Sequence, residues 1–327
     1  MRYRTMGRLG WQVSEVGYGM WGIAGGPGGF TGADHATAPA CLDQAVELGC
    51  NFFDTAWAYG RGISEQMLGA LLRRHPDRKL YVATKIPPKN MEWPPGPDDT
   101  LDDVFPADHL RESTERSCKN LGVERIDLMQ LHVWEDRWAA DPRWQEALRG
   151  LKDDGLIDAV GISVNRWEPA NCLAALDTGL VDVIQVIYNI FDQAPEDELF
   201  ARAQRDGIGI IARVPFDEGT LTGTFSAQSS WPAEDWRSTY FGPENFGPSV
   251  EHLERLVADL PAGTNLPDLA LRFVLHHPAV STVIPGMRTV EHVRANLGVS
   301  DGQALPEELV ARLRPHRWDR TPAWWSG

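Results

Sequence analysis

Four polar residues sit at the ends of apolar runs where they can act together: Asp54, Tyr59, Lys85 and His132. Asp54 lies in CNFFDTA (50–56), Tyr59 five residues later, Lys85 in KLYVATKI (79–86) and His132 at the end of RIDLMQLH (125–132). A phenol has a reference pKa of about 10, too high for an efficient proton donor near neutrality. A neighbouring ammonium favours the phenolate and lowers that value. Lys85 can supply the ammonium, and Asp54 can pair with it and orient it. An imidazole at position 132 can donate a hydrogen bond to a carbonyl oxygen, where charge develops as hydride reaches carbon. Tyr59 can then protonate the alkoxide. Singly, each residue has an ordinary explanation: a loop cap, a surface aromatic, a solvated strand end, a core histidine. Their joint placement gives them a chemical meaning. No H-E-x-x-H is present, and His276-His277 falls at a helix end, so no metal is expected.

Something must bring these four side chains to one place. Eight short apolar runs, beginning with SEVGYGM (14–20) and ending with STVIPG (281–286), alternate with amphipathic helical patterns. Eight βα units predict an α/β fold, a (β/α)8 TIM barrel, with a doubly wound sheet as the alternative. In a barrel the strand ends converge on one mouth, and all four polar residues point into it. RYRTMGRLGWQV predicts an N-terminal β-hairpin, with Gly7 or Gly10 near its turn, capping the barrel bottom. Residues 87–106 and 215–250 form long loops after the third and seventh strands, on the C-terminal face. The 327 residues form one domain on this reading. Gly17-Tyr18-Gly19-Met20-Trp21-Gly22 fits G-x-G-x-x-G, but a dinucleotide-binding turn needs a helix to begin at the third glycine. The following IAGGPGGFTG predicts a flexible loop instead.

Composition excludes several classes. Hydrophobic residues at 43% and charged residues at 24% rule out a disordered chain. A formal charge of −15 disfavours nucleic acid and anionic membranes as partners, though not a small anionic ligand held by local arginines. No apolar run approaches about 18 residues, and the N-terminus lacks a signal-type apolar stretch. Cys41, Cys50, Cys118 and Cys172 form no C-x-x-C pair and suit reduced thiols in the cytoplasm.

The segments DTAWAYGRGISE (54–65), ATK (83–85), LMQLH (128–132), VGIS (160–163), QVIYN (185–189), EGTLTG (218–223) and IPGMRTVEHVRAN (284–296) together resemble an aldo-keto reductase. The resemblance implies a barrel, no metal, and hydride transfer from NADPH to a small-molecule aldehyde or ketone, or the reverse with NADP. Asp54, Tyr59, Lys85 and His132 then fall on the family's catalytic tetrad. It further implies cofactor contacts from Gly19, Met20 and Trp21, and from Ser163, Asn165 and Gln185 at the nicotinamide amide. Here Val164 separates a serine and an asparagine that the family usually places side by side. Arg213 stands where the family often has an aromatic stacked on the ring. Leu221 and Gly223 are expected near the pyrophosphate. Gly286, Met287, Arg288, His292 and Asn296 are expected at the 2′-phosphate end, with Gly286 replacing a frequent lysine and Arg288, with His292 or Arg294, compensating for it. Of thirteen tryptophans, Trp21, Trp57 and Trp134 are expected to line the substrate pocket. The terminal PAWWSG either is exposed or folds over the barrel. The family resemblance allows a monomer or a homo-oligomer. Two rivals to an enzyme of this kind are a cofactor-binding redox-sensing subunit and a metal-dependent barrel hydrolase.

Overall fold

Short runs rich in Val, Ile and Phe, apolar on both faces, form parallel strands buried beneath helices. The computed structural model describes residues 1–26 and 29–323, so Trp324 and Trp325 lie outside the described residues. A hairpin of β1 (Tyr3–Thr5) and β2 (Gln12–Ser14) precedes eight parallel strands. These are β3 (Tyr18–Gly19), β4 (Phe52–Asp54), β5 (Tyr81–Ile86), β6 (Ile126–Leu131), β7 (Ile157–Ser163), β8 (Val183–Ile187), β9 (Gly209–Arg213) and β10 (Val280–Val283), each paired with its sequence neighbour. Parallel bridges from Val16 to Val283 and from Gly19 to Gly286 join the two edges and close the ring.

The glycines of the G-x-G-x-x-G string serve that closure. The Gly19 N–H donates to the Pro285 carbonyl at 3.1 Å, and a Cβ on Gly19 would lie 2.5 Å from the Ile284 carbonyl oxygen. A single helical turn, Trp21–Ala24, does form where none was expected, but it stops at Gly25 with φ +64°. It is too short to serve as the helix of a dinucleotide-binding turn.

Helices Ala38–Glu47, Ile63–Arg74, Ala107–Leu121, Pro142–Asp153, Leu173–Asp177, Leu199–Asp206, Leu266–His276 and Val290–Gly298 follow the eight strands in turn. A further helix, Phe246–Asp259, begins within the segment 215–250 expected to be a loop and was not anticipated. The hairpin seals the bottom. Met6 and Val13 are fully buried and pack with Phe52, Ala83, Leu128, Ala159, Val183 and Ile211, which point inward from the ring. Gly7, at φ +45°, lies so close to the backbone of Gly207 and Gly209 that no side chain fits there. The four cysteines are free and buried. No described helix is long and apolar enough to cross a membrane.

Candidate active site

Register brings the polar residues together. Lys85 on β5 is opposite Gln130 on β6, and Asp54 ends β4. The Lys85 ammonium is fully buried, and its three donors are all used. Nζ donates to Asp54 Oδ1 at 2.6 Å, to the Thr55 carbonyl at 2.8 Å and to the Tyr59 hydroxyl oxygen at 3.2 Å. Tyr59 therefore accepts from Lys85 and keeps its own proton for a partner in the cavity. His132 meets the Tyr59 ring edge-on, centroids 5.7 Å apart. The tetrad expected from the sequence is thus one connected cluster.

Burial is the largest influence on Lys85, Tyr59 and His132. It works against the Lys85 charge, but Asp54 and then Tyr59 outweigh it, and the lysine pKa is raised. Burial also raises the Tyr59 pKa above 10.0; the Lys85 charge opposes that shift without reversing it. The expected net lowering of the phenol is therefore corrected, because the cost of a buried phenolate exceeds the ammonium's help. His132 is held well below 6.5 by burial, then by the charges of Lys85 and Arg213. It is a neutral imidazole near pH 7. Its Nδ1 is buried without a partner. An unpartnered buried nitrogen costs least when it carries the lone pair rather than the proton, which leaves the N–H on Nε2.

The sequence did not disclose that Asp54 has two glutamine partners, and it did not single out Gln130 at all. Gln130 Nε2 donates to Asp54 Oδ2 at 3.1 Å, and Gln185 Nε2 does so at 2.7 Å. Gln185, expected at the nicotinamide amide, thus has its N–H2 group on the Asp54 carboxylate and on Gln130, and only its oxygen remains for a ligand. A polar residue in the middle of the apolar strand IDLMQL was the available signal for Gln130. The motif after Asp54 supports the same loop. Thr55 Oγ1 donates to Ser64 Oγ at 2.7 Å, and the fully buried Glu65 accepts from Thr84 Oγ1 at 2.7 Å and from Asn120 at 2.8 Å.

The cluster forms one wall of a cavity of about 1070 Å³. Gly19, Met20, Trp21, Ser163, Gln185 and Arg213 line it, with Gly286, Arg288, His292 and Asn296 at its other end. Other expectations need correction. Asn165 lines the cavity, but its amide is committed to the loop after His132. Its Oδ1 accepts from the Trp134 N–H, and its Nδ2 donates to the Trp134 carbonyl at 2.8 Å and to Glu135 at 2.9 Å. Trp134 is fully buried against Trp138 and Trp144 and does not face the pocket. Trp57 is outside the lining too, covered by the Arg116 guanidinium 4.1 Å from its ring. Leu221 is buried in the core, while its neighbours Gly219, Thr222 and Thr224 reach the cavity, as Gly223 does not. Met287 is buried, and its carbonyl accepts a hydrogen bond from the Tyr18 hydroxyl.

Trp93, Phe30 and Trp236 take the places expected of Trp57 and Trp134. Trp93 stands edge-on to His132 at 5.8 Å. Trp21 stacks on Tyr59 at 6.1 Å and meets Phe30 and Trp236 at 4.7 and 5.2 Å. The last contact joins the loop after β3 to the loop after β9, and Asp235 fixes it. Its Oδ2 accepts from the Thr31 N–H at 2.9 Å and from Thr31 Oγ1 at 2.7 Å.

The cavity offers both acceptor and donor groups that could hold a nicotinamide dinucleotide. The Gln185 oxygen, Ser163 and Gly219 are in its lining, and Arg288, also in the lining, stands before the N-terminus of Val290–Gly298. The Aldo/keto reductase family model matches residues 15–317. Oxidoreductase YqkF of Bacillus subtilis (strain 168), itself uncharacterized, is 29% identical over 318 residues, covering 97% of this chain and 96% of its own. An NADH-specific methylglyoxal reductase of Escherichia coli (strain K12) is 27% identical, covering 96% and 99%. The solved holo form of aldo-keto reductase AKR11C1 from Bacillus halodurans superposes with a TM-score of 0.77 at 25% identity, covering all of both chains. A closed eight-stranded ring, a buried Asp–Lys–Tyr cluster at its mouth and a family match over nearly the whole length agree: the chain belongs to the aldo/keto reductase family and is an NAD(P)H-dependent oxidoreductase.

Proposed function

We propose that this protein reduces an aldehyde or ketone to the alcohol, or runs the reverse reaction, with NADPH and with Tyr59 as the proton donor. The observation that carries the proposal is the hydrogen bond from Lys85 Nζ to the Tyr59 hydroxyl oxygen. It fixes the phenol with its proton free toward the cavity. When bound, the nicotinamide supplies a hydride. The residues of the chain do the rest. His132 Nε2 donates to the substrate oxygen and stabilises its growing negative charge. Tyr59 delivers the proton to that oxygen, and Lys85 offsets the charge the phenol acquires. Asp54, held by Gln130 and Gln185, keeps Lys85 charged and aimed. Trp21 and Trp93 flank the reacting oxygen and keep water out.

The preference for NADPH rests on Arg288, whose cationic group lines the far end of the cavity beside His292. One relative is named NADH-specific, so the choice is decided by this chain's own residues. The test is a screen of aldehydes, ketones and alcohols with NADPH and NADH, for the wild type and Tyr59→Phe. The substitution should leave cofactor affinity intact and lower turnover roughly 10²–10⁴-fold, the usual size of a general-acid contribution. Near wild-type turnover in Tyr59→Phe would remove Tyr59 from the mechanism.

A further inference from the structure

Several charges buried beside the cavity are held in ion pairs. Lys85 holds Asp54 at 2.6 Å, and Arg166 holds Glu218 at 2.8 Å. Behind them Arg320 bridges Asp192 and Asp217. Arg213, at the end of β9, forms no ion pair among the described residues. Its hydrogen bond is from Nη2 to the Val164 carbonyl at 2.9 Å, and its Nε is buried without a partner. Burial, then the nearby Arg166, push its pKa down to about 10, so it still carries its charge at neutral pH. Arg213 is half-buried, and a cation with a buried, unpartnered Nε and no anion is costly; a fold keeps one where something else gains from it.

The local backbone holds Arg213 in place. Val214, the next residue, adopts φ +56°, a conformation that β-branched residues rarely take. Its carbonyl is held at 3.0 Å by Asn189 Nδ2, from the end of β8. The strand therefore ends in a fixed, strained turn, and the guanidinium stays on the cavity wall.

Strand order decides what that charge faces. Asp54, Lys85 and His132 come from β4, β5 and the end of β6, on the substrate side. Ser163, Gln185 and Arg213 come from the ends of β7, β8 and β9, on the opposite side. The charge of Arg213 is nonetheless felt at both Tyr59 and His132. A nicotinamide ring held beside Tyr59 and His132 would therefore lie within the field of Arg213. That ring is cationic when oxidised and neutral when reduced.

We propose that Arg213 is a redox-poising residue: its unpaired charge selectively weakens binding of the oxidised nicotinamide and so raises the reduction potential of the bound cofactor. The proposal rests on the cofactor assignment above. A bound couple poised this way gives up hydride less readily and accepts it more readily than the free couple. The residue thereby shifts the on-enzyme equilibrium toward alcohol oxidation.

The test measures dissociation constants by tryptophan fluorescence or calorimetry for NADP+, NADPH, NAD+ and NADH. The proteins compared are the wild type, Arg213→Gln and Arg213→Lys. Glutamine can keep the bond to Val164 without the charge, and lysine keeps the charge without the planar fork. Arg213→Gln should lower the ratio of oxidised to reduced dissociation constants about tenfold or more. For a two-electron couple, tenfold is about 30 mV. Arg213→Lys should keep the wild-type ratio within about threefold. An unchanged ratio in Arg213→Gln would overturn the proposal. So would an equal loss of both forms, which would make Arg213 an anchor for a group common to them. A raised KM confined to carboxylate-bearing substrates, with the cofactor ratio unchanged, would also overturn it and make Arg213 a substrate anion site. If the wild type bound no nicotinamide cofactor at all, the assignment of function would fail before this proposal was reached.

Discussion

At the residue scale, the site separates two groups by environment. Tyr59 and His132 both face the cavity, and burial acts on each against its charged form: the phenol goes up and the imidazole goes down. Tyr59 therefore stays an acid, and His132 stays a neutral donor, throughout the physiological range. The sign of the pH dependence follows. For carbonyl reduction, kcat/KM, which reports the free enzyme, should show no limb at 6.5, the ordinary histidine value. It should fall only above about pH 10, as Tyr59 loses its proton. A limb near 6.5 that disappears in His132→Gln would mean that the imidazole titrates normally and that its neutral-donor role is wrong. Cofactor choice is a second matter for single residues. Arg288 is half-buried, and its Nη1 donates to the Thr31 carbonyl at 3.0 Å. A charge-assisted bond to a 2′-phosphate contributes about 1.5–3 kcal/mol, or roughly 10–150-fold in affinity. Arg288→Ala should weaken NADPH by about that factor and leave NADH nearly unchanged, in fluorescence titrations at fixed ionic strength. Equal losses for both cofactors would instead place Arg288 at a group the two share.

At the element scale, the fold positions chemistry through register and close approach. Gly161 on β7 shows how. A Cβ there would lie 2.9 Å from Gln130 Cγ and 3.2 Å from both Leu128 Cδ1 and the Val183 carbonyl oxygen. Glycine at this position lets Gln130 lie flat against β7 and reach Asp54. Gly161→Ala should therefore push Gln130 off the carboxylate at an overpacking cost of about 1–3 kcal/mol. Denaturant unfolding should show that loss, and turnover of the folded fraction should fall because Asp54 loses a donor. Full turnover with Gln130 displaced would remove the glutamine from the positioning network. Elements also explain what the sequence could and could not disclose. The tetrad was legible because Asp54, Lys85 and His132 each stand near the end of an apolar strand, and such ends converge in a barrel. The pocket walls were not. Trp57 and Trp134 also follow strand ends, yet Trp134 turns into the Trp138 and Trp144 cluster and Trp57 lies under Arg116. In the loops no period ties a residue's position to the face it presents. Trp93, Phe30 and Trp236 reach the cavity through contacts between loops distant in sequence, which local pattern does not encode.

At the scale of the whole molecule, the two ends of the barrel do different work. The eight-unit rhythm, the hairpin and the order of the strands could all be read from apolar runs and glycine stops, because periodic burial is written locally. The Phe246–Asp259 helix went unseen because it emerges from a loop with no strand after it to frame it. The mouth carries buried charges, strained backbone at Val214, Asp217 and Glu218, and an unpartnered imidazole nitrogen. The bottom carries apolar contacts closed by the hairpin, flanked by the Arg4–Glu15 and Arg8–Asp182 ion pairs. This division predicts that stability and activity can be altered independently. Met6 is fully buried where the hairpin plugs the ring, and its sulfur approaches Gly209 so closely that a Cβ there would collide with it. Met6→Ala should open a cavity and cost about 2–5 kcal/mol, the range for truncating a buried methionine. It removes no contact within the tetrad, because the barrel's packed interior lies between them. Its midpoint in urea should fall markedly, while kcat per folded molecule, with the active fraction set by cofactor titration, stays near wild type. Tyr59→Phe should do the opposite, losing turnover with the midpoint nearly unchanged. If Met6→Ala lowered both together in the folded fraction, the hairpin plug would be coupled to the geometry at the mouth. The barrel would then be a single cooperative body in which the bottom packing also sets the spacing of Asp54, Lys85 and Tyr59.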